Sequence, residues 1–136
     1  MADTLTELVD YLASAGLGVA GTSIFQGLAP DDPDSCIVLE DAPGEQSESA
    51  FGSATGGWEK PAVIVRCRGP RQDYASARAL AYRAFSEIRK IVGATVGGTF
   101  YHYARPQQSP YLLDVDEKGR PEVGFVVAIE KSISTP

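Results

Sequence analysis

The stretch that most constrains this chain runs from Lys60 to Gly93, where an alternating pattern stops at Gly69-Pro70 and a long helical pattern takes over. Between Pro61 and Arg68, Val63, Val65 and Cys67 alternate with Ile64, Arg66 and Arg68. That is the period of a strand with one apolar face and a second face ending in charge. From Asp73 the period changes: Tyr74, Ala77, Ala81, Ala84, Phe85, Ile88 and Val92 recur at spacings of three and four and share one side of a helix. Arg78, Arg83, Glu87 and Lys90 lie on the other side. Asp73 suits the unpaired amides of the first turn, Arg89 and Lys90 suit the negative end of the helix dipole, and Gly93 suits a left-handed cap. The reading is a strand, a break, and one helix from Asp73 to Val92.

The rest of the chain arranges itself around that unit. Leu5, Leu8, Val9 and Leu12 share one side of a short helix over residues 4–14, with Asp3 or Thr4 as its cap and Gly16 as its end. The following Gly16-Leu-Gly-Val-Ala-Gly21 has the spelling of a dinucleotide-binding loop, but such a loop follows a strand and opens a helix. Here it follows a helix and leads into a strand-like Val19 to Phe25. The acidic segment between Gly27 and Ser35 holds Asp31, Asp32 and Asp34, yet its two prolines and its lack of later carboxylates favour a solvated turn over a calcium loop. A short apolar strand, Cys36 to Leu39, comes next. Glu40 to Glu59 is rich in Gly, Ser and acid, with Phe51 and Trp58 its only large apolar residues, and reads as a long flexible loop. Thr99 to Ala104 alternates as a strand, with Phe100 and His102 on one side and Tyr101 and Tyr103 on the other. Tyr111 to Val115 and Val123 to Ile129 form a hairpin through the turn Asp116 to Pro121, with Glu130 and Lys131 marking the polar end of the last strand. Asp114, Asp116 and Gly119 imitate a calcium loop, but Lys118 stands at a ligand position and Phe125 where the closing glutamate belongs.

With 136 residues and 43% hydrophobic content, the chain suits a single domain over residues 1–136. The class is α+β: a mixed or mainly antiparallel sheet of about five strands, one long helix packed on it, and a shorter N-terminal helix. A net charge of -6 argues against non-specific binding to a phosphate backbone, which needs a clustered basic face. No apolar run approaches the roughly 20 residues that span a bilayer, and Met1 to Glu7 lacks the order of a signal peptide, so synthesis in a cytoplasm is expected. Cys36 and Cys67 are spaced for neither redox nor zinc chemistry and read as reduced core residues. No phosphate-binding loop, nucleophile elbow or metal-ligand pair occurs, so no cofactor and no metal is expected. An enzyme or ligand-binding domain would have to draw on His102, Tyr101, Tyr103 and Asp114, which lack motif spacing.

The order of elements, together with Cys36 to Glu40, Pro61 to Gly69 (Val-x-Val-Arg-x-Arg-Gly) and Asp73 to Ala81, resembles the minor capsid or tail terminator proteins of long-tailed phages. The resemblance implies a non-enzymatic virion protein at the head-tail interface, made in the host cytoplasm. It implies a ring of six copies that caps the tail tube and joins it to the head connector or stopper protein, with DNA only in transit and no membrane partner. Another head-tail connector or head-completion protein of the same small fold is the alternative. Within this reading the candidate assembly contacts are Phe51 and Trp58 of the long loop, and Arg66 and Arg68 of the central strand. Both arginines are expected to hold acidic residues, within the subunit or across a ring interface.

Overall fold

The structure, a computed structural model, describes residues 3–49 and 57–133. Along these residues run α1 (Thr4–Ser14), β1 (Ile24–Gln26), β2 (Cys36–Ser49), β3 (Gly57–Arg68) and α2 (Tyr74–Ile88). They are followed by β4 (Val92–Val96), β5 (Thr99–Pro106), β6 (Tyr111–Val115) and β7 (Pro121–Ser132). The strands form one sheet in the order β1-β2-β3-β7-β5-β4, with β6 paired to β7. Among the described residues β1 runs parallel to β2 and the other pairings are antiparallel, so the sheet is mixed.

The α+β class stands, but the sheet has seven strands rather than about five. One addition is β4, which the helical period had absorbed. Helix α2 ends at Ile88 with Arg89 as its cap, so Val92 opens a strand and is 68% exposed instead of lying on the buried stripe. Gly93 does have a positive φ of 58°, but inside β4. The pair Gly97-Gly98, with φ of 59° and 84°, turns β4 back into β5, where Val96 faces Thr99. Two consecutive residues at positive φ are what a tight two-residue hairpin needs, and glycine adopts them without steric cost.

The larger correction concerns Glu40 to Glu59. Its described parts are strand: β2 continues to Ser49 and β3 begins at Gly57, paired through Glu45↔Lys60 and Glu48↔Trp58. Two register shifts, between Ala42 and Glu45 and between Glu45 and Glu48, interrupt this arm. Its backbone pairs along the β2–β3 ladder although its side chains show no apolar alternation, which is why period alone reads it as a loop. Val19 to Phe25 is shorter than expected as a strand, since the amides of Thr22 and Ser23 turn back to the Val19 carbonyl and pairing with β2 starts at Ile24.

Packing follows the apolar faces. Val63, Val65 and Cys67 of β3 and Val123, Phe125, Val127 and Ile129 of β7 are buried beneath Ala77, Ala81, Ala84 and Ile88 of α2 and Leu8 and Leu12 of α1. The small alanine side of α2 lets that helix lie close to the sheet. Phe85 is half-buried and meets Phe125 edge-on, with ring centroids 5.5 Å apart. Tyr74, in the first turn, is 44% exposed. Asp73 caps α2 by accepting from the Ser76 amide at 3.0 Å, and Asp3 caps α1 by accepting from the Thr6 amide at 2.8 Å.

One buried polar cluster joins α1 to the sheet. The Glu7 carboxylate accepts from the Tyr101 hydroxyl at 2.7 Å, the Lys131 ammonium at 3.1 Å and the Thr99 hydroxyl. Glu7 and Lys131 are only 1% and 2% exposed, so Lys131 is a core cation and not the polar end of a strand. Burial and the bond to Glu7 push the Tyr101 phenol well above its usual range. A buried ion pair contributes little net stability over an apolar pair, but removing one partner strands the other. Glu7→Ala should therefore lower stability by about 3 to 5 kcal/mol. Combining it with Lys131→Met should recover most of that loss, and urea melts of the single and double variants check the coupling.

Candidate assembly surface

Arg66 and Arg68 sit two residues apart on β3 and meet different surroundings. Arg66 reaches across three strands: its Nε donates to Glu40 Oε1 and its Nη1 to Glu122 Oε1, each at 3.0 Å. Burial works against its charge, but the two carboxylates outweigh that and hold its proton more tightly than usual. This is carboxylate pairing within the subunit.

Arg68 is 3% exposed and uses carbonyls instead of carboxylates. Its Nε donates to the Asp34 carbonyl at 2.9 Å, and its Nη2 donates to those of Pro30 at 2.8 Å and Pro33 at 2.6 Å, with the Asp31 carbonyl at 3.4 Å. The acidic segment thus wraps its backbone around one guanidinium and turns its carboxylates outward. There Arg120, 6% exposed, pairs with Asp31 at 3.3 Å, Asp34 at 3.1 Å and Asp116 at 2.8 Å, while Lys118 pairs with Asp31 at 2.6 Å. The turn read as solvated is a clasp fastened to β3 and to the β6–β7 hairpin. Sequence reasoning passed over Arg120. The available signal was a basic pair, Lys118 and Arg120, in one turn and an excess of aspartate in another.

Trp58 lies at the base of the arm, half-buried, with its ring centroid 3.6 Å from that of His102. His102 Nδ1 is 2.7 Å from Glu130 Oε2, and Phe100 stands edge-on to His102 at 5.6 Å. Trp58 is therefore already docked within the subunit. Phe51 lies outside the described residues. Of the residues an enzyme would have drawn on, His102 and Tyr103 line one cavity, but Tyr101 is committed to Glu7, Tyr103 lies under the Arg105 guanidinium at 4.1 Å, and Asp114 accepts from the Val115 amide. Among the described residues no group of His, Cys, Asp or Glu is arranged to hold a metal ion. Cys36 and Cys67 are buried free thiols whose burial pushes their ionisation upward. Among the described residues no helix is long and apolar enough to cross a membrane.

Among the described residues a mixed sheet is backed by two helices, and the buried arginines Arg68 and Arg120 fasten loops to it. Residues 11–133 match the family of bacteriophage tail terminator proteins, and the chain belongs to that family. It is accordingly a structural, non-enzymatic protein of the phage virion. Among solved structures it is similar to a chain of the virion of a native gene transfer agent particle, with a TM-score of 0.63 and 14% identity. That match covers 95% of this chain and 94% of the other, and shows a shared fold. No curated protein matches the chain.

Two predictions come from the clasp. Arg68→Ala leaves several carbonyls without their donor, so a loss of about 3 kcal/mol is expected in urea melts, with faster amide exchange at residues 30–34. Arg68→Lys should not restore it, because a point charge lacks the planar fork that serves separate carbonyls. The second concerns pH. The Lys118 ammonium bonded to Asp31 holds that carboxyl below its usual range. At Asp116 burial pushes upward, but hydrogen bonds from the Arg120 amide and guanidinium outweigh it. A depressed folded-state value gives stability that is present above the ordinary carboxylate range and lost as pH falls through the folded value. The melting temperature should hold from pH 7 to about 5 and drop below about 4. The drop should be smaller in Asp116→Asn.

Proposed function

We propose that the protein acts as a tail terminator ring, six copies closing the end of the tail tube and receiving the head connector or stopper protein, with DNA passing through the opening. Family membership supports the setting, and the observation that carries the working part is the β2–β3 arm. From Asp41 onward β2 pairs with β3 on one side and, among the described residues, with no strand on the other. An unpaired strand edge is a surface for another chain, and a contact repeated by rotation around a ring multiplies a weak interaction. A net charge of -6 suits a wall past which phosphates slide, because few clustered cations are present to hold them. In this reading the arm is the contact element toward neighbouring copies or the tail tube protein, and Phe51 of the segment between its strands takes part in that contact. Synthesis takes place in the host cytoplasm before assembly.

The test is to replace residues 46–57 by a two-residue turn. Because Arg66, Arg68 and the Glu7 cluster are untouched, the shortened chain should still melt cooperatively, while joining of tails to heads is abolished. Infectious particles with normal tails attached to heads would rule out a role for the arm.

A further inference from the structure

Among the exposed cations of this acidic chain, Arg89 and Arg105 have no carboxylate partner among the described residues. Each lies over an aromatic ring instead, Arg89 at 5.3 Å from the centre of Phe85 and Arg105 at 4.1 Å from that of Tyr103. They flank one cavity of about 240 Å³ whose lining is apolar at Phe85, Val92, Ala104 and Pro106 and is completed by His102 and Tyr103. The cavity opens on the β5 side of the sheet, just past the point where β4 stops covering β5, since β4 pairs only as far as Tyr103. Pro106 lacks an amide proton, so this edge receives a partner through side chains and not by adding a strand.

The opposite edge of the sheet carries the complementary set. Asp41 and Glu45 of β2 are exposed and make no ion pair among the described residues, and between them Ala42-Pro43-Gly44 contains a register shift that sets Pro43, also exposed, outside the ladder. The two edges match in face, and Asp41 matches the cavity in level. Asp41 aligns with Val63, Val63 with Val127, and Val127 with Pro106, a single row running across the sheet to the cavity. Asp41 shares the face of Val63, the side covered by the helices, where Arg89 follows the end of α2. Glu45 aligns with Lys60 and Arg105, through Ala128, with Ala62, two rows apart but both on the other face. A head-to-tail contact brings one edge of a subunit against the opposite edge of the next while keeping the two faces in order.

We propose that the Asp41 to Glu45 bulge of one copy seats in the Arg89–Arg105 cavity of the next, Pro43 entering the apolar floor, Asp41 meeting Arg89 and Glu45 meeting Arg105. The proposal rests on the ring reading above and assigns its subunit contact. The experiment uses the full chain, with assembly followed by light scattering alone and with the tail tube protein. Arg89→Glu with Arg105→Glu should raise the concentration for half-assembly by about a hundredfold, as should Asp41→Arg with Glu45→Arg, because each places like charges in contact. Melting temperatures should hardly change. The chain carrying all four reversals should return to within about threefold of the original, since the pairs are restored. Should either reversal impair folding, Arg89→Gln with Arg105→Gln should still weaken assembly by about tenfold. Unchanged assembly in the reversed chains overturns this contact and leaves the ring reading standing. Loss without recovery in the fourfold variant also overturns it and assigns the arginines to a different tail protein. An unaltered chain that stays monomeric even with tail tube protein overturns the ring reading itself.

Discussion

A guanidinium ion does not enter a protein interior unless its donors are met, and Arg68 meets this demand by drawing a whole loop around itself. The carbonyls of Pro30, Pro33 and Asp34 fill the directions its planar fork presents, so the path of the chain between β1 and β2 is set by one side chain of β3. That arrangement fixes where the aspartates of the loop point. Arg120 and Lys118 can then tie the β6–β7 turn to the same loop. Elements distant in sequence thereby become one end of the molecule.

The opposite end is held by different chemistry. Glu7 brings α1 against β5 and β7 through three donors, all of them buried or half-buried. Both charges of the Glu7–Lys131 pair lie where water is scarce, so their value lies less in net energy than in permitting one docking of the helix. Between these two polar fastenings runs a core of branched aliphatic and alanine side chains that fixes depth but not direction. The fold is apolar in the middle and specified by charge at each end.

How much of this was legible in the sequence depended on which force makes each element. The start of α2 was legible because the capping Asp73 and the alanine spacing state the same boundary. Its end was not, because Val92 continues the helical spacing by coincidence and Gly93 has the positive φ a cap would require, although it serves inside a strand. β7 was legible from Val123, Phe125, Val127 and Ile129, which all face the core. The arm was not, because its pairing is a backbone matter and its side chains carry no period. At the candidate surface, the pairing of Arg66 followed from charge alternation on the strand. The carbonyl cage of Arg68 did not, since carbonyls are present at every residue and only the path of the chain decides which converge. Trp58 was read as a contact toward a neighbouring subunit, whereas the His102 ring it meets within the subunit comes from a strand about forty residues away, a distance that no local pattern encodes.

Strand β7 has β3 along one side and, on the other, β6 beside its first residues and β5 beside its last. The bonds of an antiparallel ladder stand across the strand direction. A force drawn along β7 is therefore resisted in shear by ladders on both flanks together, and no single bond carries it alone. Beyond Asp41 strand β2 has only the β2–β3 ladder, interrupted at two points, and opens one rung after another when its end is pulled, while the β3 side of the arm stays paired to β7 through Trp58, Glu59 and Ala62. The molecule thus joins a stiff girder to a compliant strap, and whatever strain reaches it is taken up first in the strap.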